Sequence, residues 1–187
     1  RLKGAGGLPL LEDPKELEEH QIVIDGVCSA LSVFGKPNIG KTRELVLPSL
    51  IHLSTPIQIC CENTRPSFTE VVRALHPTPA LGAFPKDIGM SWLESYAEQN
   101  GAEQDRQRFG APFGVYWPSS LENNERATCV VSIRNLQWQK QEVKIGAGCG
   151  VISASDLHRE WQEVLGKIRS VKKLLGISED GEARLYE

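Results

Sequence analysis

Three charged residues on a predicted helix near the C-terminus have spacing suited to a cation site. Glu160, Glu163 and Lys167 stand at positions i, i+3 and i+7, so they share one side of a helix that turns about 100° per residue. Glu16 and Glu19 repeat the i, i+3 spacing near the N-terminus. Magnesium would suit such carboxylates, because it keeps water ligands that a substrate can displace. Acids at this spacing also occur on solvated helix faces, so the spacing alone leaves both interpretations open.

A glycine-rich segment just upstream of the C-terminal acids favours binding. Residues 146–150 read Gly-Ala-Gly-Cys-Gly. Glycine leaves the backbone N–H groups accessible, and a turn of such groups can bind a carboxylate. The segment and the helix that follows it therefore predict a site for a small anion held on a divalent cation.

One arginine and one histidine are further candidates for this site. Arg134 lies in a run from Ala127 to Trp138 that we interpret as a strand. An arginine in a central strand needs a partner, which could be a salt bridge or a ligand carboxylate. The four histidines are scattered without metal-ligand spacing, and His52 is singled out because its predicted strand lies beside the possible pocket.

A phosphate-loop motif suggests an alternative function. The segment Gly35–Thr42 matches the pattern G-x-x-x-x-G-K-[ST]. A working phosphate loop needs a strand before it and a helix after it. Here a predicted helix comes before the motif, and Pro48 interrupts the segment after it. We interpret the motif as a loop between a helix and a strand, with a nucleotide-binding module as the less favoured reading.

Composition narrows the class of protein. Of 187 residues, 40% are hydrophobic, which is enough for a core, and the net charge of −3 comes without a basic face. We therefore expect no nucleic-acid partner. No long apolar run or signal-like segment is visible, which predicts no membrane partner and a cytoplasmic location. The odd set of five cysteines has no metal spacing and predicts small buried hydrophobes in a reducing compartment: Cys28, Cys60, Cys61, Cys129 and Cys149.

Hydrophobic periodicity and capping signals divide the chain into helices and strands. We predict helices at Pro14–Phe34, Ser67–Leu75, Pro85–Gln99 and Asp156–Leu175. We predict a strand or strand pair at Leu47–Cys61 and three antiparallel strands at Gly114–Trp117, Ala127–Trp138 and Glu142–Ile145. Turns are expected at Asn123-Asn124 and Gln139-Lys140. This order predicts an α+β fold with an antiparallel sheet.

Five segments, in this order, resemble the chorismate-utilising enzymes, and within them the isochorismate synthases of the menaquinone type. They are Lys15–His20, His76–Ala80, Phe109–Gly114, Ser132–Arg134 and Gly146–Lys167. The resemblance covers nearly the whole chain. It implies part of the layered chorismate-binding-enzyme fold, in which helices pack on the outer face of an antiparallel sheet. It also implies Mg²⁺ as the cofactor and chorismate as the small-molecule substrate.

The resemblance also implies roles for individual residues at the metal. Glu19 and Glu163 match the magnesium ligands, and Glu16 and Glu160 match acids that reach the ion through water. The remaining matches are substrate-binding positions. The backbone of Gly148 and Gly150 would hold the ring carboxylate beside Lys167, Arg134 with its neighbour Ile133 would bind the enolpyruvyl carboxylate, and His52 would line the pocket.

Two positions bear on specificity. Ala80 occupies the place that separates the subfamilies, and alanine there is typical of the water-using synthases, whereas the anthranilate- and salicylate-forming relatives tend to have threonine. Phe109 stands where the family usually has a substrate-binding tyrosine, so it lacks a hydroxyl worth roughly 1.5–3 kcal/mol if it bonds a charged group. A salicylate or anthranilate synthase remains an alternative, against which Ala80 argues.

The resemblance assigns residues 1–187 to the C-terminal portion of a chorismate-binding domain, without its N-terminal portion. In the family, the general base and general acid lie in that N-terminal half, and Arg1 aligns near its end. We therefore expect no catalytic acid or base in this chain and little activity from it alone. Uncovered apolar surface would then favour pairing with the N-terminal half of the same enzyme or self-association.

Overall fold

The structure is a computed structural model that describes residues 1, 6–48, 50–61, 65–100, 106–118 and 126–177. Within these ranges, a 3₁₀ turn at Leu10–Glu12 precedes four helices: α1 at Pro14–Leu31, α2 at Phe68–Leu75, α3 at Lys86–Asn100 and α4 at Leu157–Leu174. The described residues also form eight strands, which are β1 at Pro37–Ile39, β2 at Arg43–Val46, β3 at Ile51–Ser54, β4 at Ile57–Ile59, β5 at Pro112–Trp117, β6 at Arg126–Val131, β7 at Gln137–Gln139 and β8 at Glu142–Lys144.

Side-chain caps fix where three of these helices begin. The Asp13 carboxylate accepts a hydrogen bond from the backbone N–H of Lys15, and Pro14 occupies the first position of α1. Ser67 and Glu70 form a complete capping box at α2. Asp156 caps α4 by accepting a hydrogen bond from the backbone N–H of Arg159. These signals are local, so the predicted starts of α1, α2 and α4 agree with the structure to within a residue.

All strand pairs in the described part of the chain are antiparallel, and the predicted α+β class is confirmed. Strands β1 to β4 form one nested hairpin, in which β2 pairs with β3 and β1 pairs with β4 outside them. The Gly40 N–H donates to Pro56 O at 2.8 Å and joins the two ladders. The hairpins β5–β6 and β7–β8 follow, with Pro112 opposite Val131 and Gln137 opposite Lys144.

Several predicted boundaries were wrong. Helix α1 ends at Leu31 rather than Phe34. The strand pair predicted within Leu47–Cys61 is confirmed, since two short strands flank Thr55 and Pro56, but they begin at Ile51 and end at Ile59. The phosphate-loop motif contains strand β1 within an antiparallel hairpin, so it is neither a simple loop nor a strand–loop–helix unit. The turn predicted at Asn123-Asn124 lies outside the described residues, and the other turn falls at Lys140, where φ is 55°.

Arg134 does not lie on a strand. Strand β6 ends at Val131. The Ser132 N–H still donates to Ala111 O at 2.9 Å, and residues 133–136 leave the pairing before β7 begins. The side chain of Asn135 donates to the Ser132 carbonyl at 2.6 Å and closes this segment on itself. Such local side-chain bonds compete with ladder pairing, which explains why the strand-like composition of the run was misleading.

Much of the apolar surface is uncovered. The buried apolar residues among those described are Leu10, Ile24, Leu31, Leu50 and Val171. Every residue of strands β5 and β6 is exposed, and their side chains include Phe113 and Trp117 at 69% and 53% exposure. A two-stranded hairpin needs a third strand or a packed face for stability. This hairpin therefore presents surface that suits a further packing partner.

The cysteines only partly follow the prediction. All five are free thiols, and Cys28 and Cys149 are half-buried. Cys60, Cys61 and Cys129 are exposed rather than buried; Cys129 lies on the exposed strand β6, and Cys60 and Cys61 follow the end of β4. In the described part of the chain, no helix combines the length and apolarity that a membrane span requires.

Candidate functional site

The helices α1 and α4 bring their acids together at Lys15. The Lys15 Nζ lies 2.5 Å from Glu160 Oε1 and 3.4 Å from Glu19 Oε2. Glu160 is only 6% exposed, so the i, i+3 acids of α4 do not form a solvated face. One ammonium group thus connects acids from opposite ends of the chain.

A second lysine connects α4 to the glycine-rich segment. The Lys167 Nζ pairs with Glu163 Oε1 at 2.6 Å and donates to the carbonyl oxygen of Gly148 at 2.8 Å. The Lys167 side chain is 13% exposed. The bond to Gly148 holds the glycine-rich segment against the helix that carries Glu160 and Glu163, so the acids and the turn form one unit.

The glycines of this segment allow close approach by other groups. A Cβ built on Gly150 would lie 2.9 Å from Glu19 Cδ and closer still to Glu19 Oε1. A Cβ on Gly146 would lie 2.6 Å from Phe109 Cδ2. Glu19 therefore rests against bare backbone at one end of the segment, and Phe109 does so at the other. Only a residue without a side chain permits either contact.

Glu16 faces a different cation. The Arg1 guanidinium lies 3.2 Å from Glu16 Oε1 and also pairs with Asp13, the cap of α1. The Arg1 amino group donates to Ile51 O at 3.0 Å. These contacts hold the first residue between α1 and β3, next to the acid cluster.

The pKa shifts of two acids show that they share an electrostatic environment. Burial raises the pKa of the Glu19 carboxyl, and the charges of Glu163 and Glu16 add to this while Lys15 opposes it. For Glu163, burial also acts to raise the pKa, but the pairing with Lys167 outweighs it and the pKa is lowered. Glu19 and Glu163 are thus close enough for the charge of one to destabilise the other.

Arg134 and His52 face the same region. Arg134 is half-buried, its Nη1 donates to Ile133 O at 3.3 Å, and no carboxylate of the described residues lies within 4.0 Å of it. Burial lowers the pKa of Arg134, and the charge of Glu163 opposes this. Burial also lowers the pKa of His52, with further lowering by the charges of Arg134 and Lys167. The guanidinium is therefore desolvated and available to an anion.

Ala80 lies apart from this cluster. It is exposed in the turn after α2, where Leu81 N donates to Thr78 O at 2.9 Å. This turn packs on α1, where a Cβ on Gly26 would lie 3.0 Å from Pro79 Cδ. Gly26 is roughly 10 Å along the helix axis from Glu19. The structure thus places Ala80 beyond the acids rather than among them.

The carboxylate oxygens of this cluster are suitable ligands for a hard cation, but they are paired with lysines. In the described ranges, no three His, Cys, Asp or Glu side chains converge at metal-ligand distances. The pairs above give the reason, since the Lys15 ammonium lies between Glu19 and Glu160, and Lys167 pairs with Glu163. Carboxylates from two helices around one desolvated region are the donor set that Mg²⁺ prefers, so the residues suit that ion once the ammonium groups give way.

Sequence reasoning missed two members of the cluster. Lys15 was readable as an i, i+4 partner of Glu19, but its bond to Glu160 spans 145 positions and has no local signal. Cys149 is half-buried beside Glu160, and burial raises the pKa of its thiol, as does the charge of Glu160. A thiol between two glycines gives no sequence indication that acids surround it.

Comparison with known proteins shows where this arrangement belongs. The chorismate binding enzyme family model matches residues 5–176. Isochorismate synthase DhbC of Bacillus subtilis is 31% identical over 177 residues, which cover 90% of this chain and 40% of that protein. Isochorismate synthase MenF of the same organism is 30% identical, with 91% and 34% covered.

The fold has a solved counterpart. The menaquinone-specific isochorismate synthase MenF of Escherichia coli superposes with a TM-score of 0.65 at 22% identity, covering 88% of this chain and 36% of that one. The chain thus spans less than half the length of these relatives. With the family model matching nearly all of the described sequence, the chain belongs to the chorismate binding enzyme family.

Proposed function

We propose that this chain is the metal- and carboxylate-binding portion of a Mg²⁺-dependent isochorismate synthase. The observation that carries the proposal is the bridging of Glu19 on α1 and Glu160 on α4 by Lys15, with the Glu19 carboxylate against the backbone of Gly150. The similar proteins named isochorismate synthase agree with this choice. We place it with the menaquinone type, in the cytoplasm, as a further part of the proposal.

The residues would divide the binding of chorismate between two ends. Glu19 and Glu163 would hold the ion directly, and Glu16 and Glu160 would hold its water ligands. The ion would neutralise and orient the ring carboxylate. The backbone N–H groups of residues 148–150 would bind that carboxylate from the other side, beside Lys167.

The second carboxylate of the substrate would meet Arg134. A half-buried guanidinium that has no carboxylate of the described residues within 4.0 Å is suited to a bidentate ligand carboxylate. Ile133 adjoins it along the chain, and His52 and Phe109 would line the pocket between the two ends. Fixing both carboxylates removes rotational freedom from the substrate, which contributes to catalysis through orientation.

The proton transfers would depend on groups outside these residues. In the reaction, water adds to one ring carbon while a hydroxyl group leaves another as water, so there is no net redox change. This needs a general base at the attacking water and a general acid at the leaving hydroxyl. We propose that both come from a portion that the longer relatives carry N-terminal to the matched region. That portion would also cover the exposed β5–β6 hairpin.

Product analysis tests this function. Chorismate and Mg²⁺ are incubated with the 187-residue chain, and separately with the chain fused to the unmatched N-terminal part of the Bacillus subtilis relative DhbC. Chromatography should show isochorismate with the fusion and none with the chain alone. Salicylate or anthranilate as the first product would contradict the isochorismate assignment, and turnover by the chain alone would contradict the division of labour.

A further inference from the structure

The position of Lys15 suggests a role that the proposed metal site does not itself supply. Its ammonium group bonds acids on both helices, with side-chain exposures of 15% for Lys15 and 8% for Glu160. An ion pair this far removed from water is unlike a surface salt bridge. At 2.5 Å, the contact between Lys15 Nζ and Glu160 Oε1 joins α1 directly to α4.

A buried carboxylate needs a cation in every state of the protein. Without a partner, Glu160 would bear the full cost of a desolvated charge. Lys15 removes that cost, and its second bond, at 3.4 Å, reaches Glu19. A divalent ion that takes Glu19 as a ligand must therefore compete with an ammonium group that already holds the same carboxylate.

We propose that Lys15 is a built-in counterion that holds Glu19 and Glu160 in the metal-free protein and is displaced when Mg²⁺ binds. This inference rests on the proposed function, since it takes Glu19 to be a metal ligand. Lys15 is thus a positioning residue. It keeps the two helices and their acids in register without metal, and the cost of displacing it lowers the affinity for the ion.

Replacing Lys15 by a neutral residue measures the cost of displacing its ammonium group. Lys15→Gln removes the charge but keeps an amide donor for Glu160. Isothermal titration with Mg²⁺ should then give a dissociation constant roughly ten- to a hundredfold lower than that of the unaltered chain, the equivalent of one hydrogen bond to a charged group. Lys41→Gln is the matched control, because it makes the same change of charge at an exposed residue of the β1–β2 turn, and it should leave the affinity unchanged.

Amine labelling of the unaltered chain gives a second readout that needs no variant. Mass spectrometry should show that Mg²⁺ increases the acetylation of Lys15 and leaves that of Lys41 constant. Equal affinity of the unaltered and Lys15→Gln chains, or Lys15 labelling that is unchanged or reduced by Mg²⁺, would overturn the role of Lys15 and leave the metal site standing. No Mg²⁺ binding by either chain would overturn both proposals.

Discussion

Replacing Gly150 by alanine tests the position of Glu19 without removing any charge. The added Cβ would lie 2.9 Å from Glu19 Cδ and closer to Oε1, whereas a Cβ on Gly148 meets nothing within 4 Å. The two glycines belong to the same turn, and neither has a positive φ. Gly148→Ala is therefore a matched control for the backbone effect of the substitution.

The expected magnitudes differ between the two variants. Gly148→Ala should stabilise the chain by about 0.4–1 kcal/mol, because alanine reduces the freedom of the unfolded chain. Gly150→Ala gains the same stabilisation from the unfolded chain, but it forces Glu19 to rotate, at a cost of about 0.5–1.5 kcal/mol for a displaced rotamer. Its stability should therefore stay within about 1 kcal/mol of the original, since the displaced group is the flexible end of a side chain.

Metal affinity should separate the variants more clearly than stability. Displacement of Glu19 from the ion should weaken Mg²⁺ binding by roughly 10–100-fold, the range found when groups that orient metal ligands are lost. Gly148→Ala should bind Mg²⁺ as the original does. Calorimetric titration gives the affinity, and urea unfolding gives the stability of each variant.

Either of two results would contradict this role of the Gly150 backbone. If Gly150→Ala binds Mg²⁺ as tightly as Gly148→Ala, the Glu19 carboxylate does not need its place against the glycine backbone. If both variants lose affinity equally, the flexibility of the turn matters rather than the position of Glu19.

Three further predictions concern stability. Lys167→Gln should lower the free energy of unfolding by about 1–3 kcal/mol, because it removes charged hydrogen bonds to Glu163 and Gly148. Urea unfolding measures this loss, and an equal loss in Lys173→Gln, a change at an exposed lysine, would contradict it. Burial lowers the pKa of His52 below its usual 6.5. The neutral ring therefore contributes its full stabilisation above that pH, and this contribution to the free energy of unfolding is lost as the pH falls through the lowered pKa of the folded state. Between about pH 7.5 and 5.5, the free energy of unfolding should therefore fall less in His52→Gln than in the original chain. The same smaller fall in His158→Gln, a change at an exposed residue, would exclude a specific role for His52. Ser67→Ala should cost about 1 kcal/mol by breaking the α2 capping box and leave Mg²⁺ affinity unchanged; a loss of affinity would show that α2 supports the site.

The helices were predictable because their signals are local. Asp13, Ser67 and Asp156 each cap a helix through a bond to a backbone N–H two or three residues away. The short strands β1 and β2 were missed because their residues are mostly exposed, so they show no alternation between apolar and polar residues. Glycine, proline and asparagine in that segment pointed to a loop instead.

The candidate site was predictable in its residue types but not in its contacts. The pair Glu163 and Lys167 follows from helical spacing, and the structure places these groups 2.6 Å apart. The meeting of Glu19 and Glu160 at Lys15 depends on how α1 and α4 pack, and no local pattern specifies that packing. Arg134 illustrates the opposite error, since its strand-like neighbours suggested a ladder position that a side-chain bond from Asn135 prevents.

Calorimetry of chorismate binding with and without Mg²⁺ tests the proposed metal- and carboxylate-binding site most directly. We predict that chorismate binds this chain only when Mg²⁺ is present, and that Glu163→Gln abolishes the Mg²⁺-dependent binding. Equal chorismate affinity without the ion, retained after Glu19 and Glu163 are both replaced by glutamine, would contradict the account.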